Sequence, residues 1–145
     1  MCRNICLLIV RLCIAAAGQV VQAQEQSLAP NKPVERTIAG GESHTYQISL
    51  AAGQFVRFRL AQRASDEVLT LTALDGKLLV EMDVTGAGGE ESLSLEIATT
   101  GSYRVTVRGK GRAEMLGSYG LEATLQTSPT AQDRKREAAE RLLVE

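Results

Sequence analysis

The sequence contains no tryptophan, and phenylalanine and tyrosine together make up only 3% of its 145 residues. Its cysteines are confined to the start of the chain, as Cys2, Cys6 and Cys13, so the chain beyond them has no thiol. Disulfides, zinc-thiolate sites and cysteine nucleophiles are therefore excluded from that part. Its core has to form from Leu, Val, Ile and Ala, and about 100 residues can bury enough of them to fold.

The chain also has a single histidine and no excess of positive charge. The net charge is -1, which gives no electrostatic footprint for nucleic acid. His44 is the only histidine, so a Ser-His-Asp triad would have to use it. Its alternating position beside Tyr46 predicts a structural role on the inward side of a strand, and neither a G-x-S-x-G nor an H-E-x-x-H motif is present. The sequence therefore predicts a protein that is not an enzyme.

Residues 1–23 have the parts of a secretory signal peptide. An apolar stretch over 5–17 is followed by the small residues Val21 and Ala23, at the positions that a signal peptidase recognises. Arg11 interrupts the apolar stretch, and spanning a membrane takes about 20 mostly apolar residues. A cleaved signal helix is predicted, with an uncleaved membrane anchor as the alternative. Cleavage would leave a protein without a membrane segment, exported to the periplasm or the extracellular space.

Beyond a polar linker over 24–32, apolar and polar residues alternate with a period of two, which is typical of half-buried strands. Asp75-Gly76 is typical of a two-residue hairpin turn between two of these strands. Short strands without intervening helices favour an antiparallel sandwich over a barrel, so we predict an all-β sandwich of about eight strands. The predicted strands are 34–38, 43–50, 56–60, 68–74, 78–82, 92–97, 103–108 and 118–125.

The tail changes character after Pro129. Thr130 can cap a helix that has Ala131, Ala138 and Leu142 along one face, so a short C-terminal helix is predicted over 128–145. At about 15 residues this helix would be marginal alone. It would need the sandwich, a partner or a continuation of the chain to pack on.

Several short motifs lie between Pro33 and Leu125. They are Gly40-Gly41-Glu42-Ser43-His44-Thr45-Tyr46, Ala51-Ala52-Gly53-Gln54-Phe55, Asp75-Gly76-Lys77, Gly101-Ser102-Tyr103-Arg104-Val105 and Gly117-Ser118-Tyr119. In this order and spacing the motifs resemble the bacterial pre-peptidase C-terminal (PPC) domain family. More narrowly, they resemble the amino-terminal domain of secreted proteins that continue into tetratricopeptide repeats and a CHAT-type caspase-like peptidase domain. The tail is similar to the helix that begins that continuation, although the chain stops at Glu145, before any peptidase or complete repeat array.

The resemblance implies a jelly-roll-like β-sandwich over 33–127, which accompanies catalytic domains and has no chemistry of its own. We therefore expect a non-catalytic, secreted accessory or interaction domain. Its partner would be another protein or a repeat and peptidase region that continues the chain. The alternative is a module that binds extracellular polysaccharide or matrix protein.

Two groups of charged residues are candidate binding sites. Because some collagen-binding relatives bind calcium, a weak calcium site is conceivable near Asp66 and Asp83, and no other cofactor is expected. Solvated loop acids are the competing interpretation of these two residues and of Glu67, Glu90 and Glu91.

The second group is an arginine face. Arg57, Arg59, Arg104 and Arg108 point outward on two strands, and they would form one cationic stripe if those strands are neighbours. A solvated sheet face, or protection against edge pairing, is the alternative. The three tyrosines could suggest sugar stacking, but all alternate in phase with apolar residues, which predicts packing in the core.

Overall fold

The computed structural model describes residues 25–126 and, within the tail, Ala131, Arg134, Lys135 and Ala138. The predicted signal peptide over 1–23 lies outside the described residues. The four tail residues are helical and exposed, but the rest of 128–145 lies outside the described residues, so the C-terminal helix stays a prediction. Within the described part of the chain, no helix is long and apolar enough to cross a membrane.

Nine strands form two sheets, and the described domain is all-β, as predicted. The five-stranded sheet has the order β1-β3-β8-β5-β6, and the four-stranded sheet has the order β2-β9-β4-β7. Every pairing is antiparallel except the parallel pair of β1 with β3. The strands are β1 (Gln26–Ser27), β2 (Val34–Ala39), β3 (Ser43–Leu50), β4 (Phe55–Arg63), β5 (Glu67–Ala73), β6 (Leu78–Met82), β7 (Glu90–Glu96), β8 (Gly101–Gly109) and β9 (Leu116–Gln126).

The period-two pattern sorts each strand into an inner and an outer face. On β4, Val56, Phe58 and Leu60 are buried, whereas Arg57 and Arg59 point outward. The same alternation on the other strands brings both inner faces into one apolar core, so the sandwich prediction is confirmed. All five aromatic residues of the chain are buried: Tyr46, Phe58, Tyr103 and Tyr119 lie in this core, and Phe55 is buried outside it.

The hairpin between β5 and β6 lies where the sequence predicts it, but its loop has three residues. Ala73 N donates to Lys77 O at 2.9 Å, and Gly76 N donates to Ala73 O at 3.0 Å, which leaves Leu74, Asp75 and Gly76 in the loop. Gly76 has a φ of 88°, the left-handed conformation that glycine adopts readily. The predicted length of two residues was therefore wrong, because Gly76 is the last residue of a three-residue loop.

The strand that the sequence pattern missed is β1, and it belongs to the segment that was predicted as a linker. Leu28, which follows β1, is 2% exposed, and its N–H donates to Gln47 O at 2.9 Å. Asn31 N then donates to Ala123 O of the other sheet at 2.7 Å, and Arg36 on β2 donates to the side chain of Gln26. This segment thus seals the side of the sandwich where β1 and β2 meet.

Candidate functional site

On the opposite side of the sandwich, edge strands β6 and β7 face each other, and no segment among residues 25–126 closes the gap between them. We call it the open side. A cleft of about 830 Å³ lies there, between the β5–β6 hairpin, β7 and the loop that leads into β8. Its apolar lining includes Leu79, Val80, Leu93, Leu95 and Ile97.

The hairpin carries apolar side chains into solvent at the mouth of this cleft. Leu74 and Leu78 are each more than half exposed, and Leu79 is 38% exposed. Single exposed leucines are ordinary on protein surfaces, but a group beside an apolar cleft is typical of a contact surface. The loop across the cleft is held by Tyr103, whose hydroxyl donates to Thr99 O.

The outer edge of β7 is the second feature of the open side. Gln62 N donates to Gly89 O at 2.9 Å, and Ile97 N donates to Gln54 O at 2.8 Å. Antiparallel alternation between these two bonds turns the backbone groups of Leu93 and Leu95 toward β4. The N–H and C=O groups of Ser92, Ser94 and Glu96 therefore point away from β4, and no described strand pairs with them. Ser94 is nevertheless only 1% exposed, so its backbone groups are covered.

The structure does not bring the four predicted arginines together. Arg57 and Arg59 lie on β4 and Arg104 and Arg108 on β8, in different sheets, so the two pairs occupy opposite outer faces of the sandwich. The condition for a single cationic stripe, that the two strands are neighbours, is therefore not met, because strand order depends on pairings distant in sequence.

Two of these arginines also pair with carboxylates. Arg59 makes a two-pronged contact with Glu90, at 3.1 Å from Nε to Oε1 and 2.7 Å from Nη2 to Oε2, which lowers the pKa of Glu90. Arg104 Nε lies 2.6 Å from Glu25 Oε1. Both outer faces are thus of mixed charge.

The two predicted calcium ligands do come together, around a lysine. Lys110 Nζ lies 3.0 Å from Asp66 Oδ2 and 2.9 Å from Asp83 Oδ1, and the hydrogen bonds that it donates to Asp83 and Asp66 raise the pKa of Lys110. The ammonium supplies the positive charge at this position. Among the described residues, no group of three or more His, Cys, Asp or Glu side chains is placed to hold a metal ion. A calcium site therefore stays a prediction, without support from this geometry.

The interpretation of the loop acids as solvated groups is wrong for Glu67 and Glu91, which are both buried. They are 0% and 1% exposed, respectively. Glu91 Oε1 accepts hydrogen bonds from Val84 N, at 2.9 Å, and from Thr85 N, at 2.6 Å, which fixes the loop before β7. A signal for this burial was present: Glu67 alternates in phase with Leu69 and Leu71, as Glu91 does with Leu93 and Leu95.

His44 has the structural surroundings that its position predicts. Its Nδ1 lies 2.8 Å from Tyr119 Oη, and its Nε2 lies 3.0 Å from Glu42 Oε1. Tyr119 Oη in turn lies 2.6 Å from Tyr46 Oη, and burial raises the pKa of Tyr119. Glu42 Oε2 accepts the backbone N–H of Ala39 at 2.8 Å, which lowers the pKa of Glu42. This chain of hydrogen bonds ties the β2–β3 turn to the core.

Comparison with known proteins places the fold. No protein-family model and no curated protein matches the chain. The pre-peptidase C-terminal domain of a collagenase from Bacillus anthracis is similar in structure, with a TM-score of 0.58 and 13% identity over 71% of this chain and 97% of that chain. The chain therefore has a PPC-like fold.

Two periplasmic inhibitors of g-type lysozyme, called PliG, are also similar. Those of Aeromonas hydrophila and Salmonella Typhimurium each have a TM-score of 0.52 and 14% identity. Each match covers 71% of this chain, and 100% and 99% of the respective inhibitor. At these identities the likeness concerns the fold alone.

Proposed function

We propose that this chain is an exported, non-catalytic interaction domain that binds a protein at the open-side cleft. The observation that carries the proposal is the asymmetry of the sandwich. One side is sealed by β1 and Leu28, whereas the other keeps an apolar cleft that is lined in part by the exposed Leu74 and Leu79, with the exposed Leu78 next to Leu79 in the chain.

Export and the lack of catalysis have separate support. The residue pattern over 1–23 is that of a signal peptide. The solved structures with a similar fold include a domain of a collagenase and two periplasmic inhibitors. His44, the only histidine, bonds to Tyr119 and Glu42 rather than to a serine, an arrangement that stabilises a turn.

The polysaccharide-binding alternative has less support. Sugar recognition commonly uses exposed aromatic rings, and every phenylalanine and tyrosine of this chain is buried. The arginines that would have formed a cationic face are divided between two sheets. The proposed partner is thus a protein, either separate or a repeat and peptidase region continuing the chain, with the predicted tail helix as the junction.

Site-specific photo-crosslinking in the producing cell tests this proposal. p-Benzoyl-L-phenylalanine at Leu79 should give a discrete protein adduct, whereas the same residue at Ser49, exposed on the outer face of β3, should not. The substitution Leu78→Asp should reduce the adduct formed from position 79. Equal adducts from both positions, or none from position 79, would contradict the proposal.

An array of glycans and matrix proteins, probed with residues 24–145, addresses the alternative. The proposal expects no glycan to bind. Saturable glycan binding that persists after Leu78→Asp would favour the polysaccharide-binding module instead.

A further inference from the structure

The open side carries two complementary features next to each other. The hairpin between β5 and β6 exposes Leu74 and Leu78, each by more than half of its surface, and the apolar cleft lies directly beside this hairpin. An exposed apolar hairpin and an apolar cleft on one surface suit a second copy of the same surface. A two-fold axis then places each hairpin in the cleft of the other copy, so every contact is made twice.

The charged side chains of the cleft fit the same arrangement. Lys77 lies on the hairpin and Glu96 lies at the end of β7, on the other wall of the cleft. Both are exposed, and within residues 25–126 neither forms an ion pair. Asp75, the third charged residue of the lining, accepts the backbone N–H of Lys77 at 2.9 Å. The cleft thus presents one cation and one anion that lack partners, one on each wall.

From this geometry we infer that the occupant of the cleft is a second copy of this chain, bound about a two-fold axis with each hairpin in the cleft of the other copy. The inference rests on the proposed function, because it names the protein that binds there. Burial of Leu74 and Leu79 from both copies stabilises the contact, and Lys77 of each copy meets Glu96 of the other. Side chains alone make this contact, so the covered backbone of Ser94 is no obstacle.

Other occupants fit the cleft less well. The described tail residues Ala131 and Ala138 are exposed, so this part of the chain's own tail does not fill it. An acidic partner would meet Lys77 but repel Glu96, and a basic partner would do the reverse. A second copy supplies both signs of charge together with the exposed leucines.

Analytical ultracentrifugation of the purified protein tests the inference. The parent should show a reversible equilibrium between monomer and dimer, without larger species. Leu74→Asp should weaken the dimer at least about tenfold, because it places a charge in the apolar contact. Leu116→Asp is the matched control: Leu116 is 72% exposed at the start of β9, away from the cleft lining, so this variant should dimerise as the parent does.

Charge reversal tests which residues meet. Lys77→Glu and Glu96→Lys should each weaken the dimer about tenfold, because each places like charges together at both symmetry-related contacts. An equimolar mixture of the two variants should dimerise about as tightly as the parent. In the mixed dimer, both contacts between positions 77 and 96 again join opposite charges. Restored dimers also show that both variants are folded.

The outcomes separate this inference from the proposed function. A parent that stays monomeric up to about 100 µM, a dimer that Leu74→Asp leaves intact, or a mixture that binds no more tightly than the separate variants would overturn the inference. Oligomers larger than a dimer would overturn the two-fold arrangement. If crosslinking from position 79 joins the chain to a different protein instead, the proposed function stands without the second copy. An adduct of twice the chain's own mass supports both.

Discussion

Glu67 lies in surroundings that are unusual for a carboxylate, because they exclude water. Its side chain is fully buried, Oε1 accepts the hydroxyl of Ser65, and Oε2 has no hydrogen-bond partner. Burial raises the pKa of Glu67, and the neighbouring charge of Asp66 adds to the effect. The folded state therefore retains this proton at pH values where the unfolded chain has released it. The free energy of unfolding therefore falls as the pH rises from about 4.5, the ordinary pKa of a glutamate, through the raised pKa that Glu67 has in the folded state.

Glu67→Gln should stabilise the protein at neutral pH, because it removes the cost of burying a charge and keeps an oxygen for Ser65. We expect a gain of about 1 to 3 kcal/mol at pH 7 and little difference at pH 4. Urea unfolding at both pH values measures it, with Glu81→Gln, an exposed position on β6, as the control. A variant that is less stable at both values would contradict this account of Glu67.

At the scale of a strand, β8 has a glycine at each end with opposite surroundings. A Cβ on Gly109 would lie 2.4 Å from the carbonyl oxygen of Ala39, whereas one on Gly101 would meet nothing within 4 Å. The end of β8 near the β2–β3 turn therefore requires the absence of a side chain.

Gly109→Ala should destabilise the fold by about 1 to 3 kcal/mol, because the backbone of Ala39 has to move. Gly101→Ala, in the same strand, should change stability by less than about 1 kcal/mol. Thermal unfolding of both variants provides the comparison. Equal losses would show that the close approach of β8 to Ala39 is not what demands glycine.

The N-terminal segment around β1 makes a second prediction at this scale. Leu28 is buried between the sheets, so Leu28→Ala should cost about 2 to 5 kcal/mol. Leu78→Ala, on the open side, should change stability by no more than about 0.5 kcal/mol. Chemical denaturation measures both. A small effect at Leu28 would mean that this segment is a linker after all.

Prediction from sequence succeeded where the physical signal is local. Alternation along Val56, Phe58 and Leu60 identifies a strand and its inner face, because side chains of one strand change sides at every residue. The two residues of β1 are too few to show a period. The separation of Arg57 from Arg104, and the cleft itself, depend on the order of strands in two sheets, which no local pattern contains.

For the whole molecule, the two unlike sides of the sandwich connect fold and proposed function. The described domain buries its aromatic residues and pairs opposite charges on both outer faces, whereas its open side combines an apolar cleft with exposed leucines. A domain that packs an extended segment into one side and leaves the other open is suited to hold a partner's segment there.

Residue-resolved amide hydrogen exchange on the free protein tests this central claim most directly. If β7 is open at its two ends, the amides of Ser92 and Glu96, which point away from β4, should exchange faster than those of Leu93 and Leu95 by roughly two orders of magnitude or more. Gln47 and its neighbours on β3 provide the reference for the covered side. Equal, strong protection of all four β7 amides would show that the chain already covers this edge, and would contradict the open-side account.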